Sequence, residues 1–219
     1  MKRDESVTVF TPVLIAGSLI LLISFAIRST FGLFQIPIAE EFLWARSEFS
    51  LAIAIQNLAW GIGTPIFSAF AEKYGDRKAI TLGLLLYALG VFISSTASSP
   101  EAHQWLNVMI GFGIAGSGFG PILAVVGRAS SKEKRSLALG ITTAAGSAGQ
   151  VIGPPFAAVL LSIMPWSSVF EIFAIISLLT IIIVPILKTE TKNNVKQSDE
   201  RLSQALTEAI KDPTYIMLF

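Results

Sequence analysis

A single guanidinium sits inside sequence that otherwise belongs in hydrocarbon. In Ser24-Phe25-Ala26-Ile27-Arg28-Ser29, Arg28 is the one basic residue within a long apolar run. A charge so placed is costly and as a rule functional. Arginine suits one task in particular. Its planar fork grips a carboxylate through two parallel hydrogen bonds and never gives up its proton. Two fates are open to it: snorkelling to the headgroups, or facing a water-filled cavity and pairing with a carboxylate there. At 3.6 residues per turn, Arg28 shares a face with Ser24, Phe31, Gly32 and Gln35, while Ile27, Leu33 and Phe34 lie away from it. Other polar groups inside apolar runs are Gln56, Asn57, Asn107, Thr142, Thr143 and Gln150. Gln56, Asn57 and Gln150 join Arg28 as candidate substrate-binding residues, although any of them can equally bond a neighbouring helix.

A second constellation is Glu72-Lys73-Tyr74-Gly75-Asp76-Arg77-Lys78. Here acids and bases alternate around a glycine. Such a cluster suits a tight turn between two helix ends, where charges cap the helix dipoles and can break or re-form between conformations. No catalytic set accompanies these groups. There is no nucleophile beside a base and no glycine loop ahead of Lys-Ser/Thr, so neither an enzyme nor a cofactor is expected. The chain has no cysteine, and its single histidine, His103, cannot build a metal site alone. His103 is expected at a membrane interface.

The elements that must position these residues are long apolar helices. Hydrophobic residues make up 53% of the 219, and charged residues 14%, where a soluble domain carries roughly a quarter. Lipid is the natural solvent for such a chain. The formal net charge of +1 excludes a nucleic-acid partner, which needs a clustered basic face. Six runs reach the length of about 20 residues that a span requires: 11–34, 49–71, 79–98, 104–127, 136–163 and 167–187. They do not alternate as barrel strands do. The connections are short, which makes sequential helices antiparallel neighbours.

Fourteen of the sixteen lysines and arginines fall on one side of this arrangement. The positive-inside rule makes that side, and the N-terminus (1–10), cytoplasmic. Trp44, Trp105 and Trp166 fall at the opposite ends, where an aromatic belt is expected. Residues 188–212 read as a cytoplasmic linker, and 213–219 as the start of a seventh span cut short. Ser50-Leu51-Ala52-Ile53 opens span 2 and Ser136-Leu137-Ala138-Leu139 opens span 5. These two helices run in opposite directions, as an inverted three-plus-three repeat requires.

The stretch Ser68 to Lys78 resembles the loop signature of the major facilitator superfamily, G-x-x-x-D-[RK]-x-G-x-[RK]-[RK]. Glu72, Lys73, Gly75, Arg77 and Lys78 take the acidic, basic, glycine and closing basic places. Ser68 stands for the usual glycine and Glu72 for the usual aspartate. Gly146, Gly149, Gly153 and Pro154 in span 5 resemble the family's glycine-proline packing motif. Many members carry an arginine early in span 4, but Asn107 and Met109 stand there instead, which puts in doubt a proton-relay role for that span. In Ser24–Ser29, Ala39-Glu40-Glu41-Phe42 and Ser47-Glu48-Phe49-Ser50 the texture is similar to the monocarboxylate-porter and oxalate/formate-antiporter branch.

The resemblance implies an all-α membrane protein, multi-pass in a bacterial inner membrane or a plasma membrane. It implies one six-helix half (11–187) of a secondary transporter for a small, monocarboxylate-like organic anion, working by alternating access as antiporter or symporter. Substrate would bind between this half and a second one, either a missing C-terminal half or a second chain. Residues 72–78 would act as a conformational latch. The alternative is a non-transporting membrane scaffold or subunit.

Overall fold

The computed structural model describes residues 9–187. Among them there is no strand, and six helical stretches are long and apolar enough to cross a membrane. Span 1, Pro12–Phe42, comprises α1 (Pro12–Thr30), a 3₁₀ turn (Phe31–Phe34) and α2 (Gln35–Phe42). Span 2 is α3 (Arg46–Tyr74) and span 3 is α4 (Asp76–Ser94). Span 4 consists of α5 (Pro100–Ser117) and α6 (Phe119–Ala129), span 5 is α7 (Arg135–Ile163), and span 6 is α8 (Trp166–Thr180) with a 3₁₀ turn (Ile181–Ile186). The expected spans lie where the sequence put them, displaced by a few residues at most ends. Span 1 is the exception, because α2 carries it eight residues further, through Gln35 and the acidic pair Glu40-Glu41. The proposed linker and the proposed seventh-span stub lie outside the described residues.

The helix starts follow from their caps. Thr11 accepts a hydrogen bond from the Leu14 N–H at 3.2 Å, with Pro12 at the first helical position. Ser99 does the same for Ala102 at 3.2 Å, ahead of Pro100. Side-chain caps of this kind satisfy amides that the helix leaves without partners. Span 4 breaks at Gly118, whose backbone is extended. Pro121 has no N–H to offer the Ser117 carbonyl, so the helix cannot bond continuously through this point.

Helix packing follows the inverted repeat. Span 1 packs most extensively on span 5, and span 2 on span 4. Exchanging spans 1, 2 and 3 for 4, 5 and 6 turns one of these pairs into the other. Span 3 packs on span 6, a pair that the exchange returns to itself. At the span 1–span 5 seam, a Cβ on Gly149 would collide with the Leu22 carbonyl oxygen, and one on Gly153 with that of Ala26. These two glycines are therefore what allows the backbones to touch. Span 5 nevertheless continues as one helix past Pro154 and Pro155.

The bundle closes at the expected outer end with aromatic side chains. The His103 ring lies 5.3 Å from Trp44, 6.3 Å from Phe49 and 6.3 Å from Trp166. His103 and Trp166 are buried. They join the ends of spans 1, 2, 4 and 6 and face protein at that end of the bundle. Trp105, exposed, keeps the belt position.

Candidate functional site

Arg28 turns toward span 2. Its Nη2 donates to Asn57 Oδ1 at 2.6 Å. The guanidinium carbon lies 4.5 Å from the centre of the Trp60 ring and 5.9 Å from that of Phe25. The rings are edge-to-face with each other, 5.8 Å between centroids, and Phe119 packs on Phe25 at 4.4 Å. An aromatic floor thus carries the cation, an arrangement that contributes about 0.5–2 kcal/mol depending on desolvation. The guanidinium is thus engaged by span 2. One turn before Arg28 on the same face, Ser24 is buried, and its carbonyl accepts from the Tyr87 hydroxyl of span 3 at 3.3 Å. Gln35, further along that face, donates to the Arg46 carbonyl at 3.0 Å and to Ser50 Oγ at 2.8 Å. Of the polar stripe read from the sequence, Arg28 and Gln35 meet span 2, whereas Ser24 meets span 3 and Phe31 packs on Phe170 of span 6.

Of the other candidate residues, the structure brings only Asn57 to Arg28. Gln56, its neighbour in sequence, is buried on another side of α3 and donates to Asn107 Oδ1 at 2.9 Å. Asn107 in turn donates to the His103 carbonyl at 2.8 Å. Gln56 thus ties span 2 to span 4. Gln150 is exposed on α7, one residue past the Gly149 contact. Trp60 was not singled out by the sequence, yet it borders all three apolar clusters of the core. An aromatic one turn after Asn57, on the same face, was the available signal. Glu171, near the start of span 6, is a charge inside an expected span that the sequence reading passed over, and it is exposed.

A cavity of about 120 Å³ opens between spans 1, 5 and 6, lined by residues such as Leu22, Ala26, Gly153, Phe156 and Phe173. Its walls are apolar and offer nothing to an anion.

The loop constellation divides in two. Gly75 has φ +96° and donates to the Ala71 carbonyl at 2.8 Å, closing α3 with a backbone that side-chain-bearing residues rarely adopt. Asp76 opens α4, is nearly buried, and pairs with Arg128 of α6 at 2.5 Å. Arg77 Nε donates to the Leu187 carbonyl at 2.9 Å. Span 3 is thereby tied to the ends of spans 4 and 6. Glu72, Lys73 and Lys78 are exposed. Among the described residues no cluster of three metal-ligating side chains occurs.

Six long apolar spans arranged as an inverted repeat define a multi-pass membrane protein. The chain belongs to the Major Facilitator Superfamily, whose profile matches residues 17–219. It is 31% identical over 137 residues to monocarboxylate transporter 13 of Bos taurus, covering 60% of this chain and 31% of that protein. It is 24% identical over 149 residues to a probable L-galactonate transporter of Escherichia coli K12, covering 68% and 32%. The chain thus matches about a third of the length of these relatives. In fold it is similar to the crystal structure of a bacterial homologue of the human lysosomal transporter Spinster, inward-facing and unoccupied. The TM-score is 0.67 at 20% identity, over 81% of this chain and 43% of that one. The family is one of transporters, not enzymes.

Proposed function

We propose that these six spans are one half of a secondary transporter for a small organic anion, and that Arg28 binds the substrate carboxylate. The observation that carries this reading is the direction of Arg28. Its guanidinium lies against the exposed Asn57 on span 2, and no carboxylate neutralises it among the contacts of the described residues. The similarity to proteins named monocarboxylate transporter 13 and probable anion transporter 3, chloroplastic, supports an anionic substrate. Substrate would bind between this half and a second six-helix unit near the bilayer midplane, reached alternately from either side. The positive-inside distribution supports a cytoplasmic N-terminus. The loop 72–78 would act as the latch on that side.

Uptake of labelled small monocarboxylates into proteoliposomes of the active transporter that contains these residues tests the assignment. Arg28→Gln is expected to abolish uptake. Arg28→Lys keeps the charge but not the fork, and is expected to retain a small fraction. Unchanged uptake in Arg28→Gln overturns the assignment.

A further inference from the structure

The surroundings of Arg28 do more than support a positive charge. They fix its orientation from two directions. From below, the Trp60 ring meets the guanidinium at 4.5 Å. From one edge, Asn57 Oδ1 accepts from Nη2 at 2.6 Å, a short charge-assisted bond. Asn57 is itself held, because its Nδ2 donates to the Ile53 carbonyl of its own helix at 2.9 Å. That bond sets which way the amide faces and presents the oxygen to the arginine. Meanwhile Arg28 Nε is buried and has no hydrogen-bond partner among the described residues. A buried donor without a partner is rare in a native protein, and commonly marks a functional group.

Orientation matters because of what arginine can distinguish. A free guanidinium on a flexible stem attracts any monoanion. A guanidinium held at a fixed angle presents its remaining N–H groups as a rigid fork. A planar carboxylate with two oxygens satisfies two of those donors in parallel, and a spherical anion satisfies one well or two poorly. Holding the fork in place beforehand also removes rotamer freedom that binding would otherwise have to remove.

We propose that Asn57 and Trp60 are positioning residues that lock the Arg28 guanidinium and so make the site select planar carboxylates over spherical anions. This inference rests on the reading of Arg28 as the anion-binding residue. Neither residue needs to touch the substrate. Each acts through Arg28.

The test uses the active transporter that contains these residues, in lipid nanodiscs. The side-chain Nε–H resonance of Arg28 is followed by NMR and assigned by its loss in Arg28→Lys. Propionate and bromide are titrated separately. In the wild type, propionate is expected to shift the resonance saturably at about tenfold lower concentration than bromide, a difference equivalent to about 1.4 kcal/mol. In Asn57→Ala that advantage is expected to fall below about threefold, with the bromide response unchanged. Trp60→Leu is expected to follow Asn57→Ala, and Trp60→Phe, which keeps an aromatic face, to follow the wild type. A merely structural loss would weaken both anions together, so the ratio separates the two roles. An undiminished ratio in both Asn57→Ala and Trp60→Leu, or equal weakening for both anions, overturns the positioning role and leaves Arg28 as the anion site. If the wild-type resonance responds to neither anion, the reading of Arg28 as the binding residue falls, and this inference with it.

Discussion

Two residues adjacent in sequence take different parts. Asn57 faces Arg28, while Gln56 turns to Asn107. Successive helical residues point about 100° apart, so composition alone could nominate both but could not say which one meets the arginine. The same limit applies around Gly75. The sequence marked Asp76 as one charge among several in a turn, and only the fold shows that it meets Arg128, 52 residues away. Asp76 stands at a helix start, where a negative charge is also favoured by the helix dipole. Its partner is half exposed. Asp76→Asn is therefore expected to destabilise the protein by about 2 kcal/mol, between the values for exposed and buried pairs. Thermal unfolding in detergent measures this. The exchange Asp76→Arg with Arg128→Asp should recover only part of the loss, since it places a cation at a helix N-terminus. Complete recovery would show that the dipole contributes nothing here.

Helix seams set the next scale. The sequence disclosed six spans because their apolar runs are long and their connections short, and it disclosed the glycine motif of span 5 by its spacing. It did not show what that motif touches. Gly149 and Gly153 lie against the carbonyls of Leu22 and Ala26, and their partner helix is remote in sequence. Gly149→Val is expected to force spans 1 and 5 apart and to lower the unfolding temperature sharply. Overpacking of this kind costs about 1–3 kcal/mol or more where the obstacle is backbone. Gly149→Ala already meets the Leu22 carbonyl and should lower the unfolding temperature too, whereas Gly32→Ala, at a position with open space around it, is the matched control and should change little. An equal effect of the two alanine substitutions would remove the close-approach account. The break of span 4 was harder to foresee. Glycines at 111, 113, 116, 118 and 120 all suit close packing, and only the combination of extended Gly118 with Pro121 interrupts the helix.

At the scale of the whole molecule, the orientation rests on the lysine and arginine distribution, and the chain's lack of cysteine makes it easy to test. A single cysteine at Lys132, between spans 4 and 5, is expected to be shielded from a membrane-impermeant maleimide in intact cells. One at Trp105, near the start of span 4, is expected to be labelled. The reverse pattern would invert the topology. The criss-cross of the two repeats also bears on how such a chain comes into being. Span 1 finds its most extensive partner in span 5, and span 2 finds its own in span 4. The first three helices therefore enter the bilayer before their chief neighbours have been synthesised. About a hundred residues separate the end of α1 from the start of α7, on the order of 5–20 s of translation. Throughout that interval the groove that will receive Gly149 and Gly153 faces lipid. Only the insertion of span 5 beside span 1 fills that groove.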